Sequence, residues 1–207
     1  MFITLEGPDG RGKSMQVPAL AEFIQQLGYE VLTTREPGGT FIGDQIREVI
    51  MRMENKSMNP RTEILLFCAA RAQIVAEVIR PQLDKGVVVI SDRYADSTLA
   101  YQGYGHGLEL EVLRNILSFA TDGLTPDLTL LLDVDVETGL ARRQSGGGEW
   151  NRLDDYALAF HRRVRQGYHE LVKADPQRWI RIDAGQPPPK VQQHMQEAVL
   201  QRLRPKA

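Results

Sequence analysis

A glycine-rich segment, Gly7-Pro8-Asp9-Gly10-Arg11-Gly12-Lys13-Ser14, lies between a short apolar run and a longer stretch with helical periodicity. It fits the pattern G-x-x-x-x-G-K-[ST], in which backbone N–H groups wrap a phosphate, the lysine charge faces phosphates and the hydroxyl can bind Mg²⁺. Such a loop needs a strand before it and a helix after it, because the helix N-terminus favours an anion. The segment therefore predicts an α/β fold with a nucleoside triphosphate site after the first strand.

The rest of the chain repeats this alternation of short apolar runs and helical stretches. The predicted strands are Phe2–Glu6, Glu30–Thr34, Val87–Ser91, Leu128–Asp133 and Trp179–Asp183. The predicted helices are Lys13–Leu27, Phe41–Met53, Arg61–Arg80, Leu108–Ala120, Val136–Gln144, Asp154–Lys173 and Val191–Leu203. Strands that alternate with helices indicate βαβ units and a mainly parallel sheet covered on both faces. Because its 207 residues contain no linker or repeat, the chain is predicted to form a single domain, residues 1–207.

The composition excludes several classes of function. Lys and Arg number 25 against 27 Asp and Glu, so a broad cationic surface for nucleic acid or an anionic membrane is not expected. The one cysteine, Cys68, cannot form an internal disulfide. No window resembles a membrane span, and the first residues do not resemble a targeting peptide. We expect a reduced, soluble, cytoplasmic protein without nucleic-acid or membrane partners.

An acidic metal ligand is expected at the end of a second buried strand. Asp92 follows the continuously apolar run that begins at Val87, which would place its carboxylate beside the phosphate loop, with Ser14 as the other Mg²⁺ ligand. Asp133 and Asp135 follow another such run and are a competing pair. We favour an N-cap role for that pair, because a helix is predicted to start at Val136.

Arginines cluster after the predicted strand ends, where α/β proteins bind ligands. They are Arg35, Arg47, Arg71 and Arg93. Guanidinium groups bind phosphate bidentately, so the cluster indicates a second phosphorylated ligand and favours a small kinase over a switch GTPase, motor or helicase. Phe67 and Arg71 share a helix face at i and i+4. That face either stacks a base and holds its phosphate, or Phe67 belongs to the core.

Several segments together resemble one family. They are Glu6–Ser14, Thr34–Thr40, Ala69–Arg71, Ser91–Tyr94, Ala100–Gly103, Pro126–Thr129 and Asn151–Asp154. In this order and spacing the sequence resembles the bacterial thymidylate kinases, of the nucleoside monophosphate kinase class, over essentially its whole length. The Arg-Glu-Pro-Gly-Gly and Asp-Arg-Tyr segments are the most specific.

The resemblance implies a three-layer P-loop fold. Its parallel sheet would have five strands in the order 2-3-1-4-5, with a flexible lid at about residues 142–154. It also implies a homodimer and the Mg²⁺-dependent transfer of the ATP γ-phosphoryl group to dTMP, giving dTDP for DNA synthesis.

The resemblance also implies roles for individual residues. On the acceptor side, Phe67 would stack on thymine, Arg71 would lie against base and phosphate, and Ser97 and Gln102 would lie near the base edge. Arg47 and Arg93 would hold the monophosphate, Tyr101 would lie beneath the deoxyribose, and Glu36-Pro37 would cover the acceptor, with a candidate cis peptide bond. On the donor side, the loop Gly7–Ser14 and Arg142 would bind ATP, and Asp9 would lie near the acceptor sugar and the metal. Lys13, Arg93, Asp9 and Arg152 form the candidate catalytic set.

One question concerns the arginine that approaches the transferring phosphoryl group. Arg11 is expected to point outward, because the loop is tightly curled there, and Arg143 could face phosphate or solvent. Arg152 is the favoured candidate, since closure about Gly146–Gly148 would carry it inward. The alternative is that Arg152 pairs with Asp155 and only orders the next helix.

No catalytic base is expected, because the acceptor phosphate is already ionised. His106, flanked by glycines, is accordingly predicted to be a surface loop residue. Two other functions remain open at this point. The chain could phosphorylate another nucleoside monophosphate, or it could bind nucleotide without turnover.

Overall fold

The structure, a computed structural model, describes residues 1–8, 10, 12–145 and 150–203, and of Ser14 only the backbone. Its sheet contains five parallel strands: β1 (Phe2–Glu6), β2 (Val31–Arg35), β3 (Val88–Asp92), β4 (Leu128–Asp133) and β5 (Trp179–Asp183). The strand order is β2-β3-β1-β4-β5. This confirms the predicted fold class and topology.

Helices cover both faces of the sheet. They are α1 (Lys13–Gln26), α2 (Phe41–Met51), α3 (Pro60–Ile74), α4 (Arg80–Asp84), α5 (Ala95–Thr98), α6 (Leu110–Thr121), α7 (Val136–Ser145), α8 (Leu158–Ala174) and α9 (Pro188–Leu200). A 3₁₀ turn spans Met53–Asn55, and wider π-helical turns span Val75–Ile79 and Leu99–Gly105. Within the described residues, no helix is long and apolar enough to cross a membrane.

The core follows from the two-residue alternation of the strands. Val88 and Ile90 of β3 pack with α1 and α9, whereas Val89 packs on the opposite face with Ile74 and Ile79. A third cluster joins the remaining part of that face to α6 and α8. Burial on both faces explains why these strands are continuously apolar in sequence.

Several helical predictions need correction. The helix predicted at Asp154–Lys173 begins only at Leu158, and the one predicted at Val191–Leu203 spans Pro188–Leu200. The predicted helix Arg61–Arg80 is α3, followed by a π-helical turn and α4, so the helical path continues past Pro81. The helical segment Ala95–Gly105 was not predicted, because its two glycines are typical of a turn. Here a Cβ on Gly103 would lie 2.5 Å from Leu110, and one on Gly105 would lie 2.6 Å from Phe160. These glycines allow close packing instead of a turn.

Candidate active site

The carboxyl ends of the strands open into a cleft of about 720 Å³. Its walls come from the phosphate loop and α1, from the segment after β2, from α2 and α3, and from the segment after β3. The predicted site residues that line it are Gly10, Gly12, Lys13, Glu36, Pro37, Arg47, Phe67, Arg71, Asp92, Arg93, Ser97, Tyr101, Gln102 and Arg142. Most residues predicted from separate segments therefore meet in one cavity.

The phosphate loop depends on glycine at two positions. Gly7 has φ +131°, and a Cβ there would lie 2.4 Å from the Leu132 carbonyl oxygen. Gly10 has φ +75°, and a Cβ there would lie 1.9 Å from the Gly139 carbonyl oxygen. Side chains at these positions would be strained and would collide with backbone. The loop therefore packs tightly between β4 and α7.

Lys13 begins α1 and is only 6% exposed. Its Nζ donates to the carbonyl oxygens of Gly7 (2.8 Å) and Pro8 (3.0 Å). These bonds hold the ammonium over the start of the loop, where the helix N-terminus favours an anion. No acidic residue occupies the first turn of α1.

Three predicted features of this loop fall outside the described residues. Asp9 and Arg11 are two of them, and the hydroxyl of Ser14 is the third. The proposed hinge at Gly146–Gly148 is likewise outside.

Asp92 ends β3 and lines the cleft with Lys13. It lies opposite Leu5 of β1, which leads directly into the phosphate loop. A carboxylate is a hard oxygen donor, the type that Mg²⁺ prefers. In the part of the chain that is described, no group of three or more His, Cys, Asp or Glu side chains could hold a metal ion. This donor set fits Mg²⁺, which is usually bound by one or two carboxylates together with substrate phosphates.

The competing acidic pair has other partners. Asp133 accepts from Arg165 Nε at 2.7 Å and contacts His169 Nε2 at 2.9 Å. Burial opposes ionisation of Asp133, but Arg165 and His169 outweigh it and lower the pKa of the carboxyl. Asp135 Oδ1 accepts from the backbone N–H of Thr138 at 2.8 Å, which confirms its predicted capping role.

On the α3 wall of the cleft, Arg71 is 1% exposed and its guanidinium is fixed by several hydrogen-bond acceptors. It donates to Glu36 Oε2 (2.7 Å), Thr98 Oγ1 (3.0 Å) and the Tyr94 carbonyl oxygen (3.1 Å). Burial raises the pKa of Glu36, while Arg71 opposes that rise. Phe67, one turn earlier on α3, is partly exposed and lines the cleft. Phe67 is therefore at the cleft wall and not fully buried in the core, and its stacking on a base stays a prediction.

The loop after β2 closes one side of this region. The Glu36–Pro37 peptide bond is cis, as expected. Arg47 NH1 on α2 donates to the Pro37 carbonyl oxygen at 3.0 Å. Arg35 also lines the cleft, but its side chain is exposed and its NH2 lies 3.7 Å from Asp44 Oδ1.

Arg93 has an unusual backbone for an arginine, with φ +74°. Its NH1 donates to Ser97 Oγ at 3.0 Å and its NH2 to Tyr101 OH at 3.2 Å. The guanidinium also lies 5.1 Å from the centre of the Tyr101 ring. Strain of this kind concentrates where a side chain must be held in one position.

Glu6, which the sequence analysis did not single out, lies beneath Arg93 and is fully buried. Its carboxylate accepts from the Tyr94 N–H (2.8 Å), Ser97 Oγ (2.6 Å) and Tyr168 OH (2.9 Å). Burial and then the charge of Asp96 raise its pKa to about 7, although Arg93 and both hydroxyls favour the charged form. The sequence feature that could have indicated this role is the position of Glu6, a carboxylate at the end of a largely apolar strand.

The lid arginines differ in position. Arg142 and Arg143 line the cleft. Arg142 NH1 donates to the Ala184 carbonyl oxygen at 2.7 Å, and Arg143 NH2 donates to Asp154 Oδ2 at 2.8 Å. The structure does not bring Arg152 to the cleft.

Arg152 is instead buried against α2 and α3. Its Nε donates to the Ile50 carbonyl oxygen at 2.9 Å, and its NH2 forms a 2.5 Å ion pair with Glu63. The alternative partner, Asp155, binds Lys56 at 2.6 Å.

His106 differs from its predicted place on the surface. Its ring centre lies 5.1 Å from that of Tyr156 and 4.9 Å from that of Phe160, and its Nε2 lies 3.4 Å from Glu63 Oε1. The flanking glycines concealed this packing, since partners on α3 and α8 are distant in sequence.

The chain is similar to known proteins over most of its length. Residues 5–195 match the family model described as thymidylate kinase. A thymidylate kinase of Thermomicrobium roseum is 54% identical over 187 residues, covering 90% of this chain and 88% of that one. One of Roseiflexus sp. is 50% identical over 197 residues, covering 90% and 87%. The crystal structure of thymidylate kinase from Ehrlichia chaffeensis superposes with a TM-score of 0.80 at 30% identity, covering 96% and 98%.

Proposed function

This chain belongs to the thymidylate kinase family, and on that premise we propose that it transfers the γ-phosphoryl group of ATP to dTMP, giving ADP and dTDP for DNA synthesis. The observation that carries the proposal is the shared cleft. It contains a phosphate-loop lysine at one end, and arginines with a cleft-facing aromatic ring at the other. A cavity of this kind can hold two phosphorylated ligands with their phosphates facing each other.

The donor half binds the triphosphate. The backbone of Gly7–Ser14 wraps its phosphates, and Lys13 exchanges the carbonyl oxygens of Gly7 and Pro8 for phosphate oxygens. Arg142, exposed at the cleft wall near Ala184, lies against the adenine. Asp9 is proposed to lie near the acceptor sugar and the metal.

The acceptor half binds the monophosphate. Phe67 stacks on the thymine, Arg71 lies against base and phosphate, and Ser97 and Gln102 lie at the base edge. Arg47 and Arg93 hold the phosphate, Tyr101 lies under the deoxyribose, and the Glu36–Pro37 loop covers the nucleotide. The fixed guanidinium of Arg71 supports this assignment, because a preformed cationic site does not reorganise on binding.

Mg²⁺ is the proposed cofactor, held by Asp92 and Ser14 together with ATP phosphates. When bound, the ion neutralises charge on the β- and γ-phosphates. The residues of the chain position the two anions in line and exclude water, and no side chain needs to remove a proton, since the acceptor oxygen is already ionised.

The arginine at the transferring phosphoryl group is proposed to be Arg143 in preference to Arg152. Both arginines pair with a buried carboxylate, Arg143 with Asp154 and Arg152 with Glu63, but Arg143 lines the cleft and is partly exposed, whereas Arg152 is buried outside it. Arg11 remains a third candidate by its place in the loop.

The proposed assembly is a homodimer in the cytoplasm. Helix α3 packs against both α2 and α6, and large apolar side chains are exposed on all three helices. They are Phe41, Ile42, Val49, Leu65, Val112 and Phe119, here called the α2–α3–α6 surface. A concentration of exposed apolar groups supports a protein interface.

The function is tested by ADP release from ATP and Mg²⁺ over a panel of dTMP, dUMP, dGMP, dCMP and dAMP. We expect the fastest turnover with dTMP and negligible ADP without a monophosphate. Fastest turnover with another monophosphate would change the proposed acceptor. ADP release that is independent of any monophosphate would refute the kinase assignment.

A further inference from the structure

A buried carboxylate, that of Glu63 on α3, lies behind the acceptor half of the cleft. Its Oε1 accepts from Gln102 Nε2 at 2.6 Å and lies 3.4 Å from His106 Nε2. Its Oε2 accepts from Arg152 NH2 and, at 3.2 Å, from Tyr156 OH. One carboxylate therefore gathers donors from the segment after β3 and from the segment before α8.

Glu63 is ionised in this environment. Burial disfavours its charged form, but the contacts with His106, Arg152 and Gln102 outweigh burial and lower its pKa to about 2. An ionised carboxylate has no hydrogen to donate and can only accept. A neighbouring amide must therefore turn its NH₂ group toward Glu63.

Gln102 donates its Nε2 to Glu63 and is one of the residues that line the cleft, as are Phe67 and Arg71. Because Nε2 is bound by Glu63, the carbonyl oxygen is the end left for a ligand. Thymine and uracil carry a hydrogen on N3 that can donate to such an oxygen. Cytosine carries a lone pair at N3, which would face that oxygen acceptor to acceptor.

We propose that Glu63 is a positioning residue that fixes the carbonyl oxygen of Gln102 toward the base, so that the acceptor site selects bases with a hydrogen on N3. The inference rests on the proposed function, since it concerns the base of the monophosphate acceptor. Glu63 acts through Gln102 and does not touch the nucleotide.

Gln102 and Arg152 bind different oxygens of Glu63, so their contributions can be tested separately. Arg152 binds Oε2 and is also held by the Ile50 carbonyl oxygen, whereas Gln102 binds Oε1. Replacing Arg152 leaves an acceptor-only carboxylate facing Gln102. Arg152→Gln is therefore a matched reference that removes the buried cation without freeing the Gln102 amide. Because it leaves the Glu63 charge without that cation, wild type serves as the reference if this variant does not fold.

The test compares Arg152→Gln with the double variant Glu63→Gln/Arg152→Gln. A glutamine at 63 can donate as well as accept, so the Gln102 amide can adopt both orientations, and the double variant leaves no unpaired charge to prevent folding. Dissociation constants of dTMP, dUMP and dCMP are measured by titration calorimetry for both variants, with the melting temperature as a check on folding.

We expect the preference for dTMP over dCMP to fall about tenfold or more in the double variant, because a polar mismatch in a dry site costs about that much. The preference for dTMP over dUMP should change by less than about twofold between the two variants, since both bases carry a hydrogen on N3. Equal changes for all three nucleotides, or an unchanged dCMP preference in a folded variant, would overturn the inference. Wild-type protein that fails to phosphorylate dTMP would instead refute the proposed function.

Discussion

Arg71 shows how single residues of this site are fixed before any ligand binds. Three acceptors from two segments take its guanidinium donors: Glu36 after β2, and Thr98 and the Tyr94 carbonyl after β3. Removing one partner from such a buried pair leaves an uncompensated charge, which is strongly destabilising. A substitution of Arg71 would therefore change both the stability of the protein and its binding of dTMP. A substitution of its neighbour Phe67 is the better probe of base recognition.

Phe67→Ala should weaken dTMP binding by roughly 1–3 kcal/mol, because base–aromatic stacking contributes about that much. ATP affinity should hardly change, since Phe67 is proposed to contact only the monophosphate. Calorimetric titration with each nucleotide separates the two effects. A parallel loss of ATP and dTMP affinity would mean that Phe67 supports the fold instead of the base.

Glu6 should make stability depend on pH. Its pKa is raised from 4.5 to about 7 in the folded protein, so folding takes up a proton between these values. The protonated Glu6 carboxyl makes its full contribution to the free energy of unfolding below the pKa that Glu6 has in the unfolded chain. That contribution, up to about 3 kcal/mol, is lost as the pH rises through about 7. Urea unfolding of wild type and Glu6→Gln at pH 5 and pH 8 measures this. Wild type should lose stability relative to the variant at the higher pH; a constant difference would contradict the shift.

At the scale of elements, β1, β3 and β4 were predictable because they are buried on both faces, and the edge strands β2 and β5 because they are short β-branched or apolar runs between helical stretches. Their predicted bounds differ from the observed ones by at most one residue, and the topology followed from the resemblance. The segment Ala95–Gly105 was not predictable, because glycines that allow packing look like glycines that form turns. The buried carboxylates Glu6 and Glu63 were missed for another reason. Their partners lie far away in sequence, as with the 162 residues between Glu6 and Tyr168.

Substitutions of Arg143 and Arg152 should have different effects. Arg143→Ala should lower kcat at saturating ATP and dTMP by more than about tenfold, because an arginine on transferring phosphoryl charge contributes strongly. Arg152→Ala should chiefly lower stability, by roughly 3 kcal/mol, since the buried Glu63 carboxylate would lose its guanidinium partner. Steady-state kinetics and thermal unfolding of both variants, with Arg11→Ala as a third, measure this.

The result that would reverse this assignment is a large loss of kcat in Arg152→Ala with unchanged stability, together with a loss below about threefold in Arg143→Ala. A large loss confined to Arg11→Ala would place the charge in the phosphate loop.

At the scale of the whole molecule, the α2–α3–α6 surface predicts the assembly. Phe119 is 89% exposed on it, and a charge there would oppose the burial of the apolar groups around it. We expect sedimentation equilibrium to give a dimer for wild type and a shift toward monomer for Phe119→Asp. Leu200→Asp, on the exposed face of α9, is the matched control and should remain dimeric. Dimers of equal stability in all three proteins would place the interface elsewhere.

The central claim is that ATP and dTMP meet in one cleft and exchange a phosphoryl group directly. A single-turnover reaction with ATP labelled at the γ-phosphate, dTMP and Mg²⁺ tests it. We expect the label to appear in dTDP at the rate of ADP formation, and Lys13→Ala to slow this several hundred-fold, a loss of about 3–4 kcal/mol. Label found in inorganic phosphate or on the protein, or near-normal transfer by Lys13→Ala, would contradict it.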